Sequence, residues 1–231
     1  MNTHSRLTDF ADGSIEADLD YDAVRFTDLD FSDMNADDAR FLECSLTRCK
    51  LDGLSVKRAR VIETSFTDVN ASTVDFSGSV WRDSRITGGR LGAIMLTGAT
   101  WTGIRVRGTK LGFVSLATAR LDDVVFQDCE IDAIDASASQ LASVTFLDCA
   151  VHELNVSEAR LSKLDLSAAD LRMLVGIDGL RGAIISESQL VDLGPQLAAQ
   201  LGIEIRRPTD PGEAASLQRR PRSAGSARST E

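Results

Sequence analysis

A five-residue period runs through most of this 231-residue chain and limits its fold more than any other feature. In register from Leu19, successive units read LDYDA, VRFTD, LDFSD, MNADD and ARFLE, and the register continues without insertion or deletion to ADLRM at 169–173. The third residue of all thirty-one units is apolar, from Tyr21 to Leu171. Only 43% of the chain is hydrophobic, so composition alone does not produce so long an unbroken series.

The period fits neither regular template, since a helix repeats every 3.6 residues and a strand every two. The first residue of each unit is small or aliphatic and never charged, as at Val24, Cys44 and Ala59, so two side chains in five point inward. A square coil accommodates this pattern if each unit forms one side and turns one corner. Four units then make a coil of about twenty residues, and adjacent coils stack at the strand spacing of about 4.8 Å.

Residues twenty apart should therefore lie on top of one another, and the sequence places similar shapes at that spacing. Trp81 is expected over Trp101, and Phe126 over Phe146. Stacked aromatic rings add on the order of 1 kcal/mol per pair beyond the area that they bury. These four side chains form the predicted core ladder.

Units such as ADLRM, ARLSK, ARLDD and ARVIE resemble the A(D/N)LXX consensus of the pentapeptide-repeat family. The resemblance covers residues 19–173, about two thirds of the chain, and many units place Val, Leu, Ile or Cys where the consensus has Ala. It implies an all-β fold, a right-handed quadrilateral β-helix. The family's quinolone-resistance group consists of acidic dimeric rods that mimic DNA and bind gyrase or topoisomerase IV, so the resemblance implies that function as one alternative.

Four segments are expected along the chain. They are an N-terminal cap or flexible lead at 1–18, a pentapeptide-repeat solenoid at 19–178, a helical C-terminal cap at 179–205 and a disordered tail at 206–231. The tail is rich in Pro, Gly, Ser, Ala and Arg and has almost nothing apolar to bury.

Both ends of a solenoid expose unpaired strand edges and need closure. At the C-terminal end, Ser186 and Gln189 have the spacing of a capping box, and Pro195 sits where a first helical position tolerates it, so two short amphipathic helices are expected. A homodimer contact through this capped end is the alternative. At the N-terminal end, the apolar residues expected to close the first coil are Leu7, Phe10 and Ile15.

The sequence lacks the motifs of an enzyme. It contains no P-loop, GxSxG, HExxH or GxGxxG context, and we expect no cofactor. An outward column of Asp132, His152 and Arg172 could be drawn as a proton-transfer group, but a solvated ladder is the simpler interpretation because no nucleophile converges on it. We therefore predict that the protein is not an enzyme.

Cysteine usage and hydropathy bear on location. Cys44, Cys49, Cys129 and Cys149 have no zinc-ligand spacing, so no metal is expected and they are interpreted as reduced core thiols. A disulfide between Cys129 and Cys149 is the alternative. No stretch has the length of a bilayer span or the pattern of a secretory leader, so we expect a cytoplasmic protein without membrane contact.

Charge is segregated along the chain. The net charge of −10 disfavours direct binding of nucleic acid or anionic lipid and favours a protein partner. Residues 1–50 carry twelve acids against five bases, and residues 120–178 carry twelve against four. Between them lies a basic cluster on one side of two adjacent coils and its neighbouring corners, which we call the waist patch: Arg82, Arg85, Arg90, Arg105, Arg107 and Lys110.

Two functions follow from this surface. The leading hypothesis is a non-enzymatic scaffold that binds a protein partner through its charged faces, with the waist patch holding an anionic or phosphate-bearing surface. The alternative is a DNA mimic that binds a type II topoisomerase. Outward residues of a solenoid must be polar in any case, so the patch could also serve solubility alone.

Overall fold

The structure is a computed structural model that describes residues 7–11 and 13–205. The chain divides into two compact units, Met1–Gly194 and Pro195–Glu231. The first unit contains all of the described strands, and the described part of the second contains the last turns of a helix and the segment that follows. The predicted tail at 206–231 lies outside the described residues.

The described strands form one parallel sheet that coils on itself. A 3₁₀ helix at Ile177–Leu180 lies between the last two strands, and one α-helix, α1, spans Glu187–Gln200. The strands are β1 (Thr8–Asp9), β2 (Asp20–Asp22), β3 (Val24–Thr27), β4 (Arg40–Leu42), β5 (Ser45–Thr47), β6 (Leu54–Ser55), β7 (Arg60–Ile62), β8 (Ser65–Thr67), β9 (Asn70–Asp75), β10 (Val80–Arg82), β11 (Arg85–Thr87), β12 (Arg90–Met95), β13 (Thr100–Arg107), β14 (Lys110–Ser115), β15 (Arg120–Gln127), β16 (Glu130–Asp135), β17 (Gln140–Asn155), β18 (Arg160–Val175) and β19 (Ala183–Ile184).

Strand register follows the predicted coil length. Tyr21 lies opposite Phe41, a separation of twenty residues, and the same offset recurs from coil to coil. Every third-position residue of the repeat is buried except Leu161 and Leu171, which are half-buried in the last coil. The chain makes about nine turns in this way, so the predicted β-solenoid is confirmed.

The corners explain much of the acidity of the chain. Most corners need a residue with positive φ, and Asp is among the few non-glycine residues that adopt this conformation readily. Further acids accept a hydrogen bond from the backbone N–H two residues on, as Asp75 does from Ser77 at 2.9 Å. The aspartates with positive φ are Asp18, Asp28, Asp33, Asp38, Asp68, Asp83, Asp123, Asp128 and Asp148.

The N-terminal end is closed by an aromatic plug. The ring of Phe10 lies 4.7 Å from that of Phe26, 6.0 Å from that of Tyr21 and 6.3 Å from that of Phe31, measured between centroids. Ile15 is buried beside it with 3% of its surface exposed. β1 pairs with β3 at an offset of sixteen residues, as Thr8 with Val24, so the chain enters the first coil by a shorter path.

At the C-terminal end, one polar side chain joins α1 to the last coil. Gln189 accepts a hydrogen bond from the Ser186 N–H at 2.9 Å, and the Gln189 N–H donates to the Ser186 hydroxyl at 3.2 Å, which is a reciprocal capping box. The amide nitrogen Nε2 of Gln189 also donates to the carbonyl oxygens of Leu166 and Ala169, each at 2.8 Å. Gln189 therefore bonds the last complete coil to the first turn of α1.

The expectation of two helices in this segment was wrong. One continuous helix spans Glu187–Gln200, and Pro195 lies inside it instead of opening a second helix. Proline in a helix interior removes one N–H donor and crowds the carbonyl four residues earlier, here that of Val191, although its fixed φ is close to the helical value. Leu190 and Val191 of α1 are exposed, which leaves an apolar surface for the homodimer alternative.

Candidate functional site

The waist patch lies on β10 to β14, and all six of its side chains are exposed. Arg85 lies opposite Arg105, and Arg90 lies opposite Lys110, so like charges occupy successive coils of two columns. Directly opposed like charges on a sheet repel one another. The next coil along the solenoid decides how that repulsion is relieved.

Three of the six bases form ion pairs with acids of the next coil. The Arg105 guanidinium lies 2.9 and 3.0 Å from the two carboxylate oxygens of Asp123. Lys110 Nζ lies 2.8 Å from Glu130 Oε2, and Arg107 Nε lies 3.5 Å from Asp128 Oδ2. Because these bases are matched one to one, Arg105, Arg107 and Lys110 add little net charge to the patch.

The other three bases, Arg82, Arg85 and Arg90, form no ion pair with any residue that the structure describes. The residues directly opposite them in the adjoining coils are not acids: Ile62 and Thr102 for Arg82, Ser65 and Arg105 for Arg85, and Asn70 and Lys110 for Arg90. We call these three the open waist residues. They are the part of the patch that presents net positive charge to solvent.

The column of Asp132, His152 and Arg172, considered above as a proton-transfer group, is exposed to solvent. The three residues border a shallow depression of about 240 Å³ on β16 to β18. Within the described ranges, no hydrogen bond or ion pair joins these three side chains, and no group of three His, Cys, Asp or Glu residues could hold a metal ion. The structure places the three in one column but does not link them for proton transfer.

The core ladder lies in register inside the solenoid. The Phe126 and Phe146 rings stack at 4.8 Å with an interplanar angle of 6°, and the Trp81 and Trp101 rings lie 5.5 Å apart at 42°. The two indoles differ in one respect. Trp81 Nε1 donates to the hydroxyl of Ser79 at 3.0 Å, whereas the buried Trp101 Nε1 has no hydrogen-bond partner among the described residues.

The four cysteines are buried and their thiols are free. Burial raises the pKa of the Cys44 thiol to about 11. Cys129 and Cys149 lie in adjacent coils, and each thiol donates to a backbone carbonyl, Cys129 to that of Gln127 at 3.2 Å and Cys149 to that of Leu147 at 3.3 Å. Thiols in this setting are core residues and are poorly placed to react with solutes.

Sequence reasoning missed the acids that divide the waist patch. Asp123 follows Arg105 by eighteen residues, Asp128 follows Arg107 by twenty-one, and Glu130 follows Lys110 by twenty. A search for opposite charges about one coil apart would have found all three pairs. Among the described residues, no helix is long and apolar enough to cross a membrane.

Comparison with known proteins gives structural similarity only. No protein-family model matches the chain, and no curated protein matches it. A trypsin-treated variant of QnrB1, a plasmid-mediated fluoroquinolone resistance protein, aligns with 14% identity and a TM-score of 0.39 over 84% of this chain and 99% of its own. HetL, a pentapeptide repeat protein involved in heterocyst differentiation regulation in the cyanobacterium Nostoc sp. strain PCC 7120, aligns with 14% identity and a TM-score of 0.39 over 75% and 83%.

Similarity at 14% identity and a TM-score of 0.39 does not indicate a function for this chain. The fold assignment rests on the chain's own geometry, which has a five-residue period, strands paired twenty residues apart and a helix after the last coil. These features confirm the resemblance to pentapeptide-repeat solenoids at the level of fold.

Proposed function

We propose that this protein is a non-enzymatic scaffold that binds a protein partner through the charged walls of its solenoid. The interior is filled by the chain's own side chains, so the outward residues are what a partner can contact. The observation that carries partner binding is the open half of the waist patch: Arg82, Arg85 and Arg90 are exposed and lack an acid, whereas the neighbouring bases have one.

The chemistry of these residues favours an anionic surface on the partner. Arginine presents a planar set of donors that matches carboxylate and phosphate groups in pairs. Stacking Arg85 on Arg105 is unfavourable in isolation, and an acidic partner would relieve that repulsion. We therefore propose a partner whose carboxylate-rich or phosphorylated patch contacts the side formed by β11 and reaches Arg82 and Arg90 at the two adjoining corners.

Affinity capture from cytoplasmic extract, the proposed location of the protein, tests this function with two variants of equal charge. One carries Arg82→Gln, Arg85→Gln and Arg90→Gln, and the matched control carries Arg105→Gln, Arg107→Gln and Lys110→Gln. We expect the first variant to lose a partner that the wild type retains, and the control to keep it. Equal retention or equal loss in both variants would contradict the proposal, provided that both melt at the wild-type temperature.

The second candidate function is a DNA mimic that binds a type II topoisomerase. The net charge of −10 and the acid-rich segments on both sides of the waist support it. The open waist residues weaken it, because they interrupt the acidic surface that a mimic of duplex DNA needs. A supercoiling assay with purified gyrase decides the matter: the candidate requires inhibition or quinolone protection at micromolar protein, and neither effect would remove it.

A further inference from the structure

A groove of about 330 Å³ runs across four successive coils on the side of the solenoid formed by β13, β15, β17 and β18. It begins at Thr100–Thr102 and extends to Arg160–Ser162, so it lies on the C-terminal side of the open waist residues. The backbone of Trp101, Leu121 and Leu141 forms its base, because the side chains of these three residues are buried in the interior. We call it the Arg120 groove.

The two walls of the groove differ in height and charge. One wall consists of Thr100, Arg120, Gln140 and Arg160, which are consecutive residues of one column. The other wall consists of Thr102, Asp122, Ala142 and Ser162. The short side chains of Ala142 and Ser162 make the second wall low, so an extended chain can enter from that side.

The groove carries net positive charge. Arg120 and Arg160 are exposed, and neither forms an ion pair with a residue in the described part of the chain. Gln140 lies between Arg120 and Arg160 in this column, so the backbones of the two arginines are two coil spacings apart, about 10 Å. Asp122 is the acid that lines the groove, and Lys163 follows Ser162 at the corner.

We propose that the Arg120 groove binds an extended acidic segment of a partner protein, aligned with the solenoid axis. Three coil spacings span about 14 Å, the length of four or five residues of extended chain. Alternate side chains of such a segment point the same way, so acids at every second position would face Arg120 and Arg160. The hydroxyl groups of Thr100 and Ser162 and the amide of Gln140 can bond the segment's backbone.

A short peptide suits this groove better than a nucleic acid. The net charge of −10 repels a long polyanion, and Asp122 would oppose a continuous row of phosphates. A segment with two or three acids separated by uncharged residues meets the two guanidinium groups without a continuous row of negative charge opposite Asp122. The groove adjoins the waist patch at Arg82, which lies opposite Thr102, and the proposal rests on the function proposed above in that the occupant is a protein.

Fluorescence anisotropy with the full-length protein and a fluorescein-labelled octapeptide of alternating Asp and Val tests the proposal. We expect saturable binding that weakens at least about tenfold in the variant Arg120→Gln with Arg160→Gln. The matched control, Arg40→Gln with Arg60→Gln, removes the same charge from the same outward column and should bind within about threefold of the wild type. The variant Arg85→Gln with Arg90→Gln, which keeps Arg82 beside the groove, should also bind as the wild type does.

Three results would overturn the proposal. Equal weakening in both double variants would mean general attraction between charges, and equal binding of an octapeptide of alternating Asn and Val would mean that the arginines are not used. Tighter binding of a short DNA duplex than of the acidic peptide at the same salt concentration would assign the groove to nucleic acid. Melting temperatures of both double variants close to that of the wild type exclude unfolding as the cause of any loss.

Discussion

The interior of the solenoid and the waist patch are built on the same twenty-residue stacking but use it differently. Inside, a neighbour in the next coil adds burial, as Phe146 does for Phe126. On the wall, a neighbour in the next coil sets the charge, since Glu130 neutralises Lys110 while Arg90 has no acid on either side. The character of a residue in this fold therefore depends on its column as much as on its own side chain.

The largest test of this comparison places the same new charge in each region. Trp101→Asp should lower the free energy of unfolding by more than about 4 kcal/mol, because it buries a carboxylate and leaves a cavity in a stacked column. Arg107→Asp, on the outer wall, should change it by less than about 1 kcal/mol. Urea unfolding followed by circular dichroism measures both. Similar losses for the two variants would show that the assignment of inward and outward faces is wrong.

A second test concerns the C-terminal end of the solenoid, where α1 instead of another coil covers the interior. Gln189→Glu retains the capping box but replaces the amide that donates to Leu166 and Ala169 with a carboxylate that cannot. We expect a loss of about 2 kcal/mol near neutral pH. Burial next to carbonyl oxygens should raise the pKa of the new carboxyl, so part of the stability should return as the pH falls through it.

The control for this variant is Asp192→Asn, which exchanges an acid and an amide at an exposed residue of the same helix. Its urea midpoint should stay near that of the wild type. If Gln189→Glu behaves like Asp192→Asn at every pH, the two carbonyl contacts do not hold the cap.

A third test asks whether the Trp101 indole lacks stability because its N–H has no acceptor, as the Trp81 indole has. Ser79 accepts a hydrogen bond from Trp81 Nε1, whereas Ala99 stands at the corresponding position before Trp101. Ala99→Ser should supply the missing partner and raise the free energy of unfolding by about 1 kcal/mol. Ala119→Ser is the matched control, because the side chain of Leu121, two residues later, has no N–H group that needs an acceptor. A gain in the control, or none at Ala99, would rule out this explanation.

The smallest change in stability is expected for acids on the outer wall. Removing them should change the binding of the waist patch to a polyanion and leave unfolding nearly unchanged. The triple variant Asp123→Asn, Asp128→Asn and Glu130→Gln releases Arg105, Arg107 and Lys110, and exposed ion pairs contribute at most about 1 kcal/mol each. We expect unfolding to change little and elution from a heparin column to need more salt. The control, Asp148→Asn, Glu153→Gln and Asp170→Asn, alters net charge equally, and if it elutes at the same salt then pairing does not govern the patch.

Much of the fold could be predicted from the sequence because one position in five repeats without a break. The placement of Trp81 over Trp101 depends only on that count, and the structure has it. The passage of α1 through Pro195 could not be predicted, because local signals favour a helix start at proline. The second role of Gln189 was also out of reach, since its carbonyl partners lie twenty and twenty-three residues away.

The candidate site was predicted only in part for a related reason. Composition identified six bases in one region, but charge pairing acts between coils, and the decisive acids lie beyond the cluster at Asp123, Asp128 and Glu130. The Arg120 groove was missed because its two arginines are forty residues apart, with Ala142 and Ser162 notable only for their small size.

The left-handed corners have a consequence for how such a surface can change over time. Asn and Gly adopt positive φ as well as Asp does, so a corner such as Asp68 or Asp148 can exchange among the three with little strain. Each exchange from Asp removes a negative charge without touching the buried columns. The electrostatic character of the solenoid can therefore drift or be engineered one corner at a time, while the backbone path and the packed interior stay the same.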